Sequence, residues 1–285
     1  MRYSPVDIRH AVHPIQRESR KLIMSDNGIL KIESMKQRCS PEEWQARVDL
    51  AACYRLVDIY GMSDMMANHV SCSVPGEHGA FLINAYGMMY EEITASSLIK
   101  IDIHGNILDK PDFGDLNYGI NKAGYVIHSA IHEARPEVKC VIHTHSWASM
   151  AVSSLECGLL PLTQTSMRFL KIAYHDYQGV VLNNEEKASL LADLGQGEAL
   201  ILRNHGALTV GKSVGEAFNW MHRLELSCQS QLAAMACNTP FTKVSKSVLE
   251  ETWNNYQPST RRPYGLMEWP ALLRKLDRMD PSYKT

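Results

Sequence analysis

The chain has 285 residues, 45% of them apolar and 21% charged, with a formal net charge of −2 and a sequence pI near 6.6. That composition is enough to bury one large core with extensions, and it offers neither a basic field for nucleic acid nor a polybasic surface for acidic membranes. Seven scattered cysteines without Cys-x-x-Cys spacing read as reduced thiols of a cytoplasmic protein, Met1 to Lys21 lacks an apolar signal core, and no run approaches the ~18–20 apolar residues of a membrane span.

Residues 1–39 are polar, broken by Pro5 and Pro14, and read as an arm able to wrap a neighbour, with a hairpin edge at 28–32. Ser40-Pro41-Glu42-Glu43 supplies an N-cap, a proline at the first helical position and a capping-box glutamate, and apolar spacing from Trp44 to Ile59 carries the helix to Gly61. Short alternating segments follow at 69–74, 80–84 and 98–103, with a His104-Gly105-Asn106 turn into Ile107-Leu108, so a sheet with antiparallel neighbours is expected. A helix over 121–133 ends near Arg135-Pro136; then come a strand over 138–145, helices near 148–155 and 185–194, strands at 199–203 and 207–210, and a helix from Ser213 to about Cys237. The main domain is thus 40–238, and 239–285 reads as a tail with one short helix near 270–276.

The histidines carry the chemistry. In Val141-Ile142-His143-Thr144-His145 the alternation of an extended chain points His143 and His145 the same way. That is either a polar strand face or two ligands for one ion. Leu202-Arg203-Asn204-His205-Gly206, after a second buried run, favours the ion, because a third imidazole from a distant segment leaves one tetrahedral position open, as in catalytic zinc sites. His128 and His132 share a helix face and read as a polar group beside the site and a packing or surface residue. Asn68 either orients substrate or closes a turn, Gly87 serves a tight turn or an anion, and His175-Asp176 is a relay or a structural pair.

The ordered segments Ala-Asn-His-Val-Ser (67–71), Phe-Leu-Ile-Asn-Ala-Tyr-Gly (81–87), Ile-Thr-Ala-Ser-Ser-Leu (93–98), His-Ser-Ala-Ile-His (128–132), Ala-Arg-Pro-Glu-Val-Lys-Cys-Val-Ile-His-Thr-His (134–145), Ala-Tyr-His-Asp-Tyr (173–177) and Leu-Arg-Asn-His-Gly (202–206) resemble the class II aldolase/adducin family, and most closely its adducin-head branch. The resemblance runs from about Gln45 to Cys237, roughly two-thirds of the chain. It implies an α/β fold of three layers, α/β/α, with a central largely antiparallel sheet. It also implies a tetramer with sites near subunit boundaries, and a divalent ion, zinc before manganese or ferrous iron, on His143, His145 and His205.

In the aldolases of this family a glutamate on the helix before the His-x-His strand is the acid/base, next to serines that help bind the substrate phosphate. Counted back from His143, the glutamate position falls at Gly124 and the serines at Lys122 and Ala123. Glycine moves no proton, so another group must do so if the chemistry is kept, and His128, Tyr125, Glu225 or a tail tyrosine are the candidates. Lys122 can meet a carboxylate or phosphate as a point charge, with Asn68 and Gly87 as further substrate contacts. The expected function is a metal-dependent carbon–carbon lyase performing aldol cleavage or decarboxylation of a small hydroxy or oxo acid. The alternatives are a non-catalytic scaffold like the adducin head and a non-haem iron oxygenase on the same three histidines.

Overall fold

In the computed structural model the described residues are 30, 32–179, 185–257 and 259–285, and the side chains of residues 122, 123, 185 and 186 are outside the description. Most of the 1–39 arm, including residues 28, 29 and 31 of its expected hairpin edge, therefore lies outside the described residues, and so does the Lys122 side chain. Helix α1 (Pro41–Ile59) starts as its sequence dictates: the Ser40 side chain accepts from the Glu43 amide and proline takes the first turn.

Among the described residues eight strands form one sheet: β1 (His69–Ser73), β2 (Ala80–Ile83), β3 (Ile99–Asp102), β4 (Ile107–Asp109), β5 (Cys140–Thr144), β6 (Ala173–His175), β7 (Ala199–Leu202) and β8 (Gly206–Gly211). Their order is β4-β3-β2-β1-β5-β8-β7-β6, antiparallel throughout except for the parallel β6–β7 edge pair. The remaining helices are α2 (Lys122–Ala134), α3 (Trp147–Ser153), α4 (Gln164–Met167), α5 (Glu185–Leu194), α6 (Val214–Ala236), α7 (Lys246–Asn255) and α8 (Glu268–Met279).

Strand alternation sorts the core into two sides. Cys140 and Ile142 of β5 and Ala199 and Ile201 of β7 face the cluster built with α1, α3 and α6. Val141, Leu200, Leu202, Leu208 and Val210 face Ile127 and Ile131 of α2 and Leu190 and Leu194 of α5. The expected α/β/α layering with a largely antiparallel central sheet is therefore what the chain adopts, and it makes residues 69, 71, 73, 141, 143 and 145 neighbours on the α2 side.

The C-terminal segment holds more structure than the single helix expected near 270–276. Helix α7 precedes it, and the helix itself, α8, runs from Glu268 to Met279. Tyr283 beyond it is fully buried, Trp269 donates to Asp49 of α1 at 2.9 Å, and the Thr285 carbonyl accepts from the Ser96 amide at 2.9 Å. Arg168 at the end of α4 lies against the rings of Tyr256 and Tyr264, at 4.6 and 5.0 Å, which clamps the start of this segment to the main body. All seven cysteines are free thiols. Among the described residues no helix is long and apolar enough to cross a membrane.

Candidate metal centre

Two backbone features bring three imidazoles together. His143 lies in β5 and His145 just beyond it, both on the α2 side. The third comes from the β7–β8 turn, where Asn204 takes a left-handed conformation (φ +57°) and Gly206 lies so close to β5 that a Cβ there would meet the Thr144 carbonyl oxygen. That approach sets His205 beside His145. The Nε2 atoms of His143 and His145 are 2.9 Å apart, as are those of His145 and His205.

The outer ring nitrogens decide the tautomers. His143 Nδ1 lies 3.0 Å from the Ala207 carbonyl oxygen and His145 Nδ1 lies 3.1 Å from the Asp64 carboxylate, so both Nδ1 atoms are N–H donors and each neutral ring turns an Nε2 lone pair inward. Burial favours the neutral form of His143 and His205: His143 is held well below the usual imidazole pKa, and His205 is lowered to about 4, first by burial and then by its histidine neighbours. Lone pairs facing one another across 2.9 Å repel unless a cation lies between them. Three converging imidazoles, with a carbonyl behind His143 and a carboxylate behind His145, are a fitting donor set for a divalent ion.

Beside this cluster stands a fourth histidine. His69 of β1 pairs directly across from His143, and their rings stack at 5.9 Å between centroids. A Cβ on Gly124 would come within 2.3 Å of Cδ2 and 2.4 Å of Nε2 of His69, so the His69 ring fills the space a side chain at position 124 would enter. Both ring nitrogens of His69, both amide atoms of Asn68 and Nε2 of His128 are buried with no hydrogen-bond partner. Such groups cost roughly 1–3 kcal/mol each when left bare, and a bound polar ligand removes that cost.

Comparison with known proteins fixes the lineage. The family model described as "Class II Aldolase and Adducin N-terminal domain" matches residues 48–232. The chain belongs to that family. A protein of Caulobacter vibrioides named "Putative aldolase class 2 protein" is 45% identical over 258 residues, covering 90% of this chain and 98% of that one. Alpha-adducin of Rattus norvegicus is 44% identical over 191 residues, which are 67% of this chain but 26% of the adducin. Among solved structures, an aldolase II superfamily protein from Pseudomonas syringae superposes with TM-score 0.80 at 42% identity, covering 89% of this chain and all (100%) of the other. L-fuculose 1-phosphate aldolase from Glaciozyma antarctica gives 0.74 at 28%, covering 86% and 93%.

Within this class II aldolase frame the expected site residues part ways. His143, His145 and His205 converge, and His128 lies close by, fully buried, its ring edge-on to His69 at 5.8 Å. The Asn68 side chain makes no hydrogen bond and so closes no turn. Tyr125, by contrast, packs its ring under the β3–β4 turn, where a Cβ on Gly105 would meet it at 2.9 Å. Glu225 sits on α6, its carboxylate accepting from Ser146 and Gln229. Gly87 (φ +123°) serves packing, because a Cβ there would strike the Tyr118 ring at 2.5 Å. His175 pairs not with its neighbour Asp176 but with Asp193 of α5, at 2.7 Å. The residues that sequence reasoning passed over are His69, Asp64 and Ser71. His69 and Ser71 stood inside the 67–71 motif, and their alternation with the strand face was the signal available.

The neutral interior histidines carry a pH consequence. Burial first, and charged or histidine neighbours after it, lowers His69 to about 3 and His128 well below 6.5, and burial and Lys139 take His132 to about 4. The folded-state pKa values lie below the unfolded one, so as pH falls the unfolded chain takes up protons first. Their stabilising contribution is complete above about pH 6.5 and is lost toward about pH 4, each group approaching about 1.4 kcal/mol per pH unit. Urea unfolding of metal-free protein is expected to show this decline, and a flat profile between pH 6.5 and 4 would contradict the neutral assignment.

Proposed function

We propose that this protein is a metal-dependent carbon–carbon lyase that performs aldol cleavage or decarboxylation on a small hydroxy or oxo acid. The observation that carries the reading is the convergence of three imidazole Nε2 atoms, with the tautomers of His143 and His145 fixed from behind by the Ala207 carbonyl and the Asp64 carboxylate. His143, His145 and His205 would hold the ion, zinc before manganese or iron, and leave a coordination position open. A bound divalent ion polarises a carbonyl or carboxylate and holds the charge that develops when the carbon–carbon bond breaks. The unpartnered amide of Asn68 and the rings of His69 and His128 supply hydrogen bonds to the substrate's oxygen atoms and orient it. The fuculose phosphate aldolase likeness supports the lyase class, and the absence of serines at 122 and 123 points the substrate away from sugar phosphates.

The same reading makes the protein a cytoplasmic homo-oligomer, a tetramer with sites near subunit boundaries. A second reading, a binding or scaffold protein of the adducin-head kind, is favoured by the 44% identity to alpha-adducin over the matched segment. Oxaloacetate and hydroxy-aromatic acids offered to zinc-, manganese- and iron-loaded protein separate the two. Release of carbon dioxide or an aldehyde supports the lyase; silence with every metal, in protein shown to hold about one ion per chain, would leave the scaffold reading in its place.

A further inference from the structure

On the α2 side of β1, Ser71 sits between two histidines of one helix face. Its Oγ lies 2.6 Å from His128 Nδ1 and 2.8 Å from His132 Nε2. A hydroxyl has one proton to donate, so it donates to one ring and accepts from the other. The three groups therefore form a chain with a direction, and reversing every bond gives an equally satisfied chain. The outer end reaches solvent: His132 is half-buried, its Nδ1 lies 3.2 Å from Ser73 Oγ, and it lines a cleft of about 380 Å³ with Ser73, Glu77, His78 and Lys139. The inner end is His128 Nε2, fully buried and without a partner, on the ring that meets His69, which in turn stacks on His143.

If this arrangement served only to tie α2 to β1, an apolar contact would do so without leaving a bare nitrogen in the interior. We propose that His132, Ser71 and His128 are a proton relay between the cleft and the metal centre. The proposal rests on the lyase reading for its purpose, because a cleaved substrate carbon that keeps the electron pair must be given a proton.

The step balances without any co-reactant but water. His128 Nε2–H gives its proton to that carbon, the N–H bond breaking as the C–H bond forms. His128 Nδ1 takes the Ser71 hydroxyl proton, Ser71 Oγ takes the Nε2 proton of His132, and His132 Nδ1 takes one from cleft water. The chain now points the other way, with His128 Nε2 bare. In aldol cleavage that polarity accepts the proton of the next substrate's hydroxyl group and passes it outward, which resets the relay. In decarboxylation a water beside His128 gives a proton to its bare Nε2, the chain passes one outward from His132 Nδ1 to the hydroxide left in the cleft, and the inner hydroxide joins the released carbon dioxide as bicarbonate. His128 is then a catalytic residue, and Ser71 and His132 act through it.

The test reads proton movement directly. In protein labelled at histidine, exchange of the His128 ring proton with water is followed by NMR for the wild type, Ser71→Ala, Ser71→Thr and His132→Phe, with metal content and thermal midpoint as controls. A buried ring fed by the relay exchanges at least about tenfold faster in the wild type than in Ser71→Ala or His132→Phe, and Ser71→Thr restores the exchange. His132→Phe leaves the Ser71–His128 bond in place, so it decides the question should Ser71→Ala fail to fold. Exchange at the same rate in the wild type and the folded variants overturns the relay, even if the metal-loaded protein cleaves a substrate. Ser71-dependent exchange in a protein that turns over nothing keeps the relay and removes the lyase.

Discussion

His143→Ala is expected to take the protein from about one tightly held divalent ion per chain to none that survives gel filtration. The other two imidazoles cannot compensate, because His143 is the buried member whose Nε2 closes the set from the sheet side. The effect is readable without a substrate. A ligand that binds the folded state alone stabilises it by about 4 kcal/mol at a concentration a thousand times its Kd. Chelation should therefore lower the wild-type thermal midpoint by on the order of 10 °C and leave His143→Ala unmoved. Asp64→Ala gives a graded control. It frees His145 Nδ1 without touching a ligand nitrogen, and a loss of about 10–100-fold in metal affinity is expected. Metal content equal in wild type and His143→Ala, by elemental analysis, would remove the metal centre and with it the lyase.

Most of this arrangement could be read from local pattern, and the part that could not has a physical reason. His143 and His145 share a face because strands have a period of two, and His205 followed from a buried run ending in Asn-His-Gly; both are short-range facts. The place of His69 depends on which residue of β1 lies across from His143, and that register is set by the whole sheet. For the same reason Gly124 reads in sequence as a lost glutamate, whereas in the fold it is the room that His69 needs. Element lengths explain the rest. Strand β6, of 3 residues, and α4, of 4, are too short to show a period, and α7 buries no residue, so no apolar stripe marks it. Asp193, the partner of His175, lies 18 residues along the chain, and only the packing of α5 against β6 brings it there.

The pairing of Gly124 with His69 makes the second large prediction. Gly124 lies inside α2, where alanine would ordinarily be favoured by about 0.5–1 kcal/mol for its lower chain entropy. Here the methyl group would sit 2.3 Å from His69 Cδ2. His69 has little room to give, being buried in β1 between the sheet and α2, so Gly124→Ala should cost about 1–3 kcal/mol as overpacking. Removing the ring reverses the sign. In a His69→Ala background the same methyl enters vacated space, and Gly124→Ala should stabilise by the helix-propensity amount. The double-mutant cycle, measured by chemical denaturation of metal-free protein, should therefore give a coupling well above 1 kcal/mol, roughly the sum of the two terms. Equal costs in both backgrounds would mean that the two positions do not compete for one space. Competition carries a chemical corollary. Any side chain at 124 would need the space that the His69 ring fills, so in this fold α2 and β1 compete for one place beside His143. This chain has taken the imidazole.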